Sequence, residues 1–162
     1  MASGDTLLSL FPSDNEPPAS GYATVDSRNG HPVLDFDTTT EEIAIFTCLL
    51  PRNYAGGGIT VYIHAALTSA TTGTLGWLVA FERMDAGTNL DTDSFAADQT
   101  VTAATVPATS GLPLILNVAI SNGANMDSIA AGDTFRLRIK RNVALDTAAS
   151  DAELISVELK ET

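Results

Sequence analysis

The sequence predicts an all-β protein: an antiparallel two-sheet sandwich, jelly-roll-like, entered through an extended N-terminal arm. Short runs alternate apolar and polar residues with a period of two, the mark of half-buried strands. Turn-forming residues separate these runs at the spacing typical of sandwiches and barrels. No stretch supports a helix longer than one turn, so a parallel α/β fold with helical crossovers is excluded. An immunoglobulin-type sandwich is the alternative, but it normally shows a Cys–Trp–Cys spacing and this chain has one cysteine, Cys48.

The elements follow in order. Residues 1–21 hold three of the seven prolines, Pro12, Pro17 and Pro18, which prevent a long regular element. They read as an arm whose apolar residues Leu7, Leu8, Leu10 and Phe11 pack on the body or on a neighbouring subunit. Residues 22–162 read as a single sandwich domain of eight or nine strands. YATVD and HPVLDFD flank an Asn29-Gly30 turn, with Leu34 and Phe36 on one face and Val33, Asp35 and Asp37 on the other. EEIAIFTCLL is apolar on both faces, as a covered central strand would be. ITVYIHAAL places Ile59, Val61, Ile63 and Ala65 on one face, and TLGWLVAFERM aligns Leu75, Trp77, Val79 and Phe81. DQTVTAATV and LILNVAIS follow, the latter with Leu114, Leu116, Val118 and Ile120 inward. NGANMDSIAAGD holds one helical turn at most. TFRLRIKRNV and ELISVELKE close the chain, the last with Ile155, Val157 and Leu159 inward.

Composition narrows the function. Twenty acids against eight Lys and Arg give a net charge of −12. Such a chain repels nucleic acid and anionic membranes at long range. A lone cysteine excludes an internal disulfide and multi-cysteine metal sites. No signal peptide opens the sequence, and no apolar run approaches the ~18 residues of a membrane span.

Catalytic motifs are missing. No G-x-S-x-G elbow surrounds a serine, Cys48 lies in an apolar run, and His31 and His64 read as surface or interface residues. GGGIT lacks a phosphate loop's lysine and opens a strand, not a helix. The reading is therefore of a non-enzyme without a cofactor. Asp85, Asn89, Asp91 and Asp93 form the one oxygen-rich calcium candidate, set against the plainer reading of a solvated loop. Four cations cluster in AAGDTFRLRIKRN: Arg136, Arg138, Lys140 and Arg141. Parity puts Arg136, Arg138 and Lys140 opposite Phe135, Leu137 and Ile139. The row is either a wet strand face balanced by nearby acids, with Arg136 opposite Glu158 across a hairpin, or a docking strip for another subunit.

The pieces RNGHPVLDFDTTTEEIAIF, YAGGGITVYIHAALTSATTG, WLVAFERM, DTDSFA, MDSIAAGDTFRLRIKRN and DAELISVEL resemble small β-sandwich virion structural proteins of tailed bacteriophages, of the capsid decoration (cement) or appendage kind. The resemblance runs from about residue 22 to 160. It implies a homo-oligomer, a trimer by preference, that joins major capsid proteins and stabilises the shell. It also implies a place in the virion after synthesis in the host cytoplasm, with no nucleic-acid or membrane partner. Leu7, Leu8, Leu10, Phe11, Arg136, Arg138 and Lys140 are then the interface candidates. The alternative role is a host-glycan or receptor-binding module of a tail appendage, with a groove near Tyr54, Tyr62 and His64.

Overall fold

The computed structural model describes residues 4–162. Ten strands form two antiparallel sheets laid face to face. In chain order they are β1 (Thr6–Leu10), β2 (Thr24–Arg28), β3 (His31–Phe36), β4 (Ile43–Leu49) and β5 (Ile59–Leu67), then β6 (Thr74–Met84), β7 (Gln99–Thr105), β8 (Leu114–Ile120), β9 (Thr134–Arg141) and β10 (Ala152–Glu161). Among the described residues the helical segments are two single 3-10 turns, Pro12–Asp14 and Ala124–Met126. One sheet runs β2-β3-β10-β5-β8 with β1 also on β10; the other runs β4-β9-β6-β7. The all-β sandwich expected from alternation is thus present, with β1 as a strand that the proline-rich arm did not advertise.

Alternation places the core correctly on the long strands. Ile59, Val61, Ile63 and Ala65 of β5 are fully buried, as are Leu75, Trp77, Val79 and Phe81 of β6. Trp77 meets Phe36 of the opposite sheet edge-on, with ring centroids 4.9 Å apart. This contact knits the two inner faces near one end of the sandwich.

The arm serves both sheets. Its strand β1 pairs with β10, and Leu7 and Leu10 enter the chain's own core while Leu8 packs against it. Residues 15–23 then run along β4. The Glu16 amide donates to the Ile45 carbonyl (2.7 Å), and the Ile45 amide donates to Asn15 Oδ1 (3.0 Å). Ile43 and Ala23 exchange further bonds with Gly21 and Ile43. So β4 is an edge strand, not the central strand its two apolar faces suggested; the arm covers its edge and satisfies its backbone.

Two further expectations change at β9. It lies in the four-stranded sheet and β10 in the other, so the two form no hairpin. Arg136 stands beside Glu82 of β6, not Glu158. Arg141 departs from the wet row altogether. It shares parity with Phe135, Leu137 and Ile139, and it is fully buried. Its Nε donates to Asp146 Oδ2 (2.8 Å), and its terminal nitrogens donate to the carbonyls of Phe36 (3.1 Å) and Ala148 (3.2 Å).

Arg141→Ala is expected to destabilise the fold by about 3–5 kcal/mol, because Asp146 is left charged and buried. Urea unfolding checks this. The double replacement Arg141→Met with Asp146→Leu is expected to recover most of the loss, since it removes both charges together.

Candidate functional site

The sequence of β10, AELISVELKE, contains two apolar series out of phase. Ala152 and Leu154 belong to one alternation, Val157 and Leu159 to the next, and a straight strand cannot bury both. A β-bulge resolves the conflict. Leu154 pairs with Ala65 of β5 and Ser156 with His64, leaving Ile155 as the extra residue. All four apolar residues are then buried, while Glu153 and Ile155 line the outer face of the six-stranded sheet. Ile155, expected inward by simple alternation, is corrected to the outside for this reason.

The bulge coincides with a junction. One edge of β10 pairs with β3 as far as Leu154, then with β1 from Val157 onward. Into the gap come Phe11 from the end of β1, His31 and Pro32 from the start of β3, and Ile155 and Ser156 from the bulge. They line a hollow of about 340 Å³. A second hollow of about 300 Å³ adjoins it, lined by Arg28, Val33, Ala66, Pro113 and Glu153. His31 and Ile155 line both, so the two form one trough. Phe11 is 53% exposed, and a single 3-10 turn fixes its backbone: its amide donates to Asp14 Oδ2 and its carbonyl accepts from the Asp14 amide.

The trough's polar part is held in place. Arg28 donates to Glu153 Oε2 (2.5 Å) and to the carbonyls of Leu67 (3.1 Å) and Thr68 (3.4 Å). Gly111 makes room: a Cβ there would meet the guanidinium at 2.6 Å, and its φ of +76° favours glycine in any case. The only guanidinium lining the trough is therefore already engaged, and Glu153 is 4% exposed.

Asp35 lies beside Glu153 across the ladder. Burial, then the charges of Asp151, Glu153, Asp26 and Glu42, push its carboxyl up to about 6. Its Oδ1 is buried without a hydrogen-bond partner. Asp37 is the opposite case. The Thr39 and then Thr40 amides donate to its Oδ1 and hold it near 2.

The candidates read from the sequence fall in different places. Phe11 lines the trough, whereas Leu7 and Leu10 are core residues. Arg136 pairs with Glu82 and Asp93, Arg138 with Asp98, and Lys140 with Glu41 and Asp98. Phe95 of the 85–98 loop lies under both arginines, with guanidinium-to-ring distances of 5.0 and 4.3 Å. The loop is thus a strap folded back over β9. Within it, Asp85 is engaged by Arg83 and Thr88, Asn89 Oδ1 by the Asp91 amide, and Asp93 by Arg136. Among the described residues no group of three or more His, Cys, Asp or Glu is placed to hold a metal ion. Tyr54 is buried at one end of the sandwich, whereas Tyr62 and His64 lie on β5, so the three share no groove. Cys48 is buried and its thiol is pushed up to about 12 by burial, then by the charges of Asp14 and Glu16, which leaves no reactive thiolate at neutral pH.

No family model matches the sequence, and neither does any curated protein. Solved structures do resemble the fold. A family 35 carbohydrate-binding module from an environmental isolate superposes with a TM-score of 0.55 at 13% identity, over 96% of this chain and 94% of that one. The carbohydrate-binding module CBM36, solved with calcium and xylotriose, gives 0.53 at 13% identity, over 95% of this chain and 100% of that one. A CBM6 module from Cellvibrio mixtus lichenase 5A, solved with cellotriose, gives 0.50 at 12% identity, over 98% and 99%. At these identities the likeness is one of fold: a two-sheet, jelly-roll β-sandwich.

Asp35 predicts an unusual pH dependence. Its folded value lies above its unfolded one, so its contribution is fully present below pH ~4 and is lost as pH rises through about 6. Asp37 acts in the other direction, and its contribution is lost as pH falls below ~4 toward 2. Asp35→Asn is expected to raise stability at pH 7.5 and to flatten the slope between pH 4 and 7. Denaturant titrations at stepped pH check this.

Proposed function

We propose that the chain is a non-catalytic carbohydrate-binding module that holds a glycan in the outer-face trough. The observation that carries the reading is the chemistry of that trough. An exposed Phe11 ring, with Pro32 and Ile155, offers apolar surface for the C–H face of a sugar ring. His31, Ser13 and Ser156 surround it with groups that hydrogen-bond hydroxyls. Sparse, convergent polar groups on a largely apolar floor characterise small-ligand sites. The fold likeness to modules solved with xylotriose and cellotriose supports the same reading.

Of the two roles set out from the sequence, this favours glycan binding over shell decoration. The residues that decoration would use for docking are largely occupied within the chain. Leu7 and Leu10 are core, and the three outward cations of β9 face the chain's own acids. A phage appendage is one setting for such a module, and peptide mass spectrometry of purified virions tests that setting.

A glycan array followed by calorimetry tests the binding. Phe11→Ala and His31→Ala are each expected to weaken the best glycan by about tenfold, equivalent to ~1.4 kcal/mol. Both side chains are exposed, so stability should change little. A blank array across neutral and charged polysaccharides would sink the proposal, as would full affinity in the double variant.

A further inference from the structure

The edge of a β-sheet carries a row of unpaired amides and carbonyls that recruits further strands unless something blunts it. Most edges of this sandwich are blunted. The arm covers β4. β2 is five residues long and carries Asp26 and Arg28. β1 is equally short, and its pairing with β10 is irregular between Thr6 and Leu8. β7 is bulged, its register with β6 shifting between Leu75 and Trp77.

β8 has none of these devices. Its seven residues, LILNVAI, end the six-stranded sheet and hold neither a charge nor a proline. Their register with β5 is unbroken. Among the described residues, no hydrogen bond from another segment reaches β8 on the side away from β5. The neutrality extends beyond the strand. From Gln99 to Met126 no residue is charged, in a chain with twenty acids and eight cations. That run builds β7 and β8, which lie beside each other along one flank of the sandwich. Ile115, Asn117 and Ala119 are exposed on the outer face of β8, and the inward Leu114 and Val118 are only partly buried.

We propose that β8 pairs with the β8 strand of a second copy of this chain, antiparallel across a two-fold axis, so that the two larger sheets become one. An open edge calls for a strand, because extended backbone alone meets a whole row of such groups. The sequence of β8 also fits itself. With Asn117 on the axis, Ile115 stands opposite Ala119 of the copy, large against small, and the two Asn117 amides face each other. On the inner face, Leu116 meets Val118 of the copy and Leu114 meets Ile120. Copies carrying −12 repel at long range, and this flank joins them with least charge at the contact. A basic partner would find no acid on it. Seven residues span about 24 Å and two layers with their outer side chains about 20 Å, so the join buries roughly 1,000 Å² in total. That is the small end of specific interfaces, and association in the micromolar range is expected.

One consequence rests on the glycan reading above. A two-fold axis normal to the sheet keeps both outer faces on one side, so both troughs face the same way. The two β10 strands then stand five strand spacings, about 24 Å, apart. Such a pair can grip one polysaccharide at two points.

Sedimentation velocity of the full chain, from about 1 μM to about 500 μM, tests the join, with dimer expected at the upper end. Asn117→Lys sets like charges together at the axis and should weaken the dimer at least about tenfold. Ile115→Lys with Ala119→Glu sets opposite charges across the join and should preserve it. Ile115→Glu with Ala119→Glu sets acids together and should leave monomers. All three positions are exposed, and denaturant unfolding checks that each variant folds. A chain monomeric throughout, a trimer or open filament, or a dimer indifferent to Asn117→Lys would overturn the proposal. Calorimetry of the Asn117→Lys chain with a short oligosaccharide reads the trough alone, so a failure there leaves the dimer standing.

Discussion

The sandwich depends on one buried cation. Taking a guanidinium out of water costs several kcal/mol unless its donors are matched, and Arg141 is matched by Asp146, Phe36 and Ala148. The Phe36 carbonyl belongs to β3 of the six-stranded sheet, while Arg141 ends β9 of the other, so the contact ties the two layers. Asp146 and Ala148 lie in the connection that leads into β10. That connection is further held by Asn142 on Gly76 and by Thr147 and Ala148 on Thr74. Since β10 pairs with β1, β3 and β5, the register of the larger sheet follows from where this connection releases the chain.

The trough arises from that same strand. A period-2 strand offers no outward apolar cleft when its alternation is unbroken. β10 breaks its alternation at Ile155, and its edge passes from one partner to another at the same place. Each feature alone would leave a small defect. Together they leave a gap that residues from five separated segments line without closing. Bulges recur next to binding sites because they re-aim side chains, and here the re-aimed residues are Glu153 and Ile155.

This explains what was legible in the sequence and what was not. Inward positions of β5 and β6 were legible because unbroken alternation encodes them locally. The bulge left a signal, the three-residue step from Leu154 to Val157, but simple alternation from Ile155 obscures it. Arg141 also had a signal, since its parity is that of Phe135, Leu137 and Ile139; grouping it by charge with its neighbours hid this. The trough left none. Phe11, His31 and Ile155 converge only after the arm has docked, and no local pattern encodes that docking. The acidic 85–98 loop showed its carboxylates in the sequence but not their partners, which lie on β6 and β9.

The distribution of charge then limits what the molecule can recognise. Arg28, Arg83, Arg136, Arg138, Lys140 and Arg141, six of the eight cations, pair with acids of the same chain. The positive segment on β9 is the fastening of a strap, with Phe95 lying under Arg136 and Arg138 and Asp93 and Asp98 at its ends. An anionic polymer approaching this surface meets a net charge of −12 and few unengaged cations to offset it. With the cations so engaged, shape, apolar contact and neutral hydrogen bonds are the terms on which the proposed trough would hold a ligand. Those are the terms by which neutral sugars are bound, and the trough, with its exposed Phe11, offers them. A net charge of −12 repels acidic ligands at long range and leaves uncharged ones unaffected.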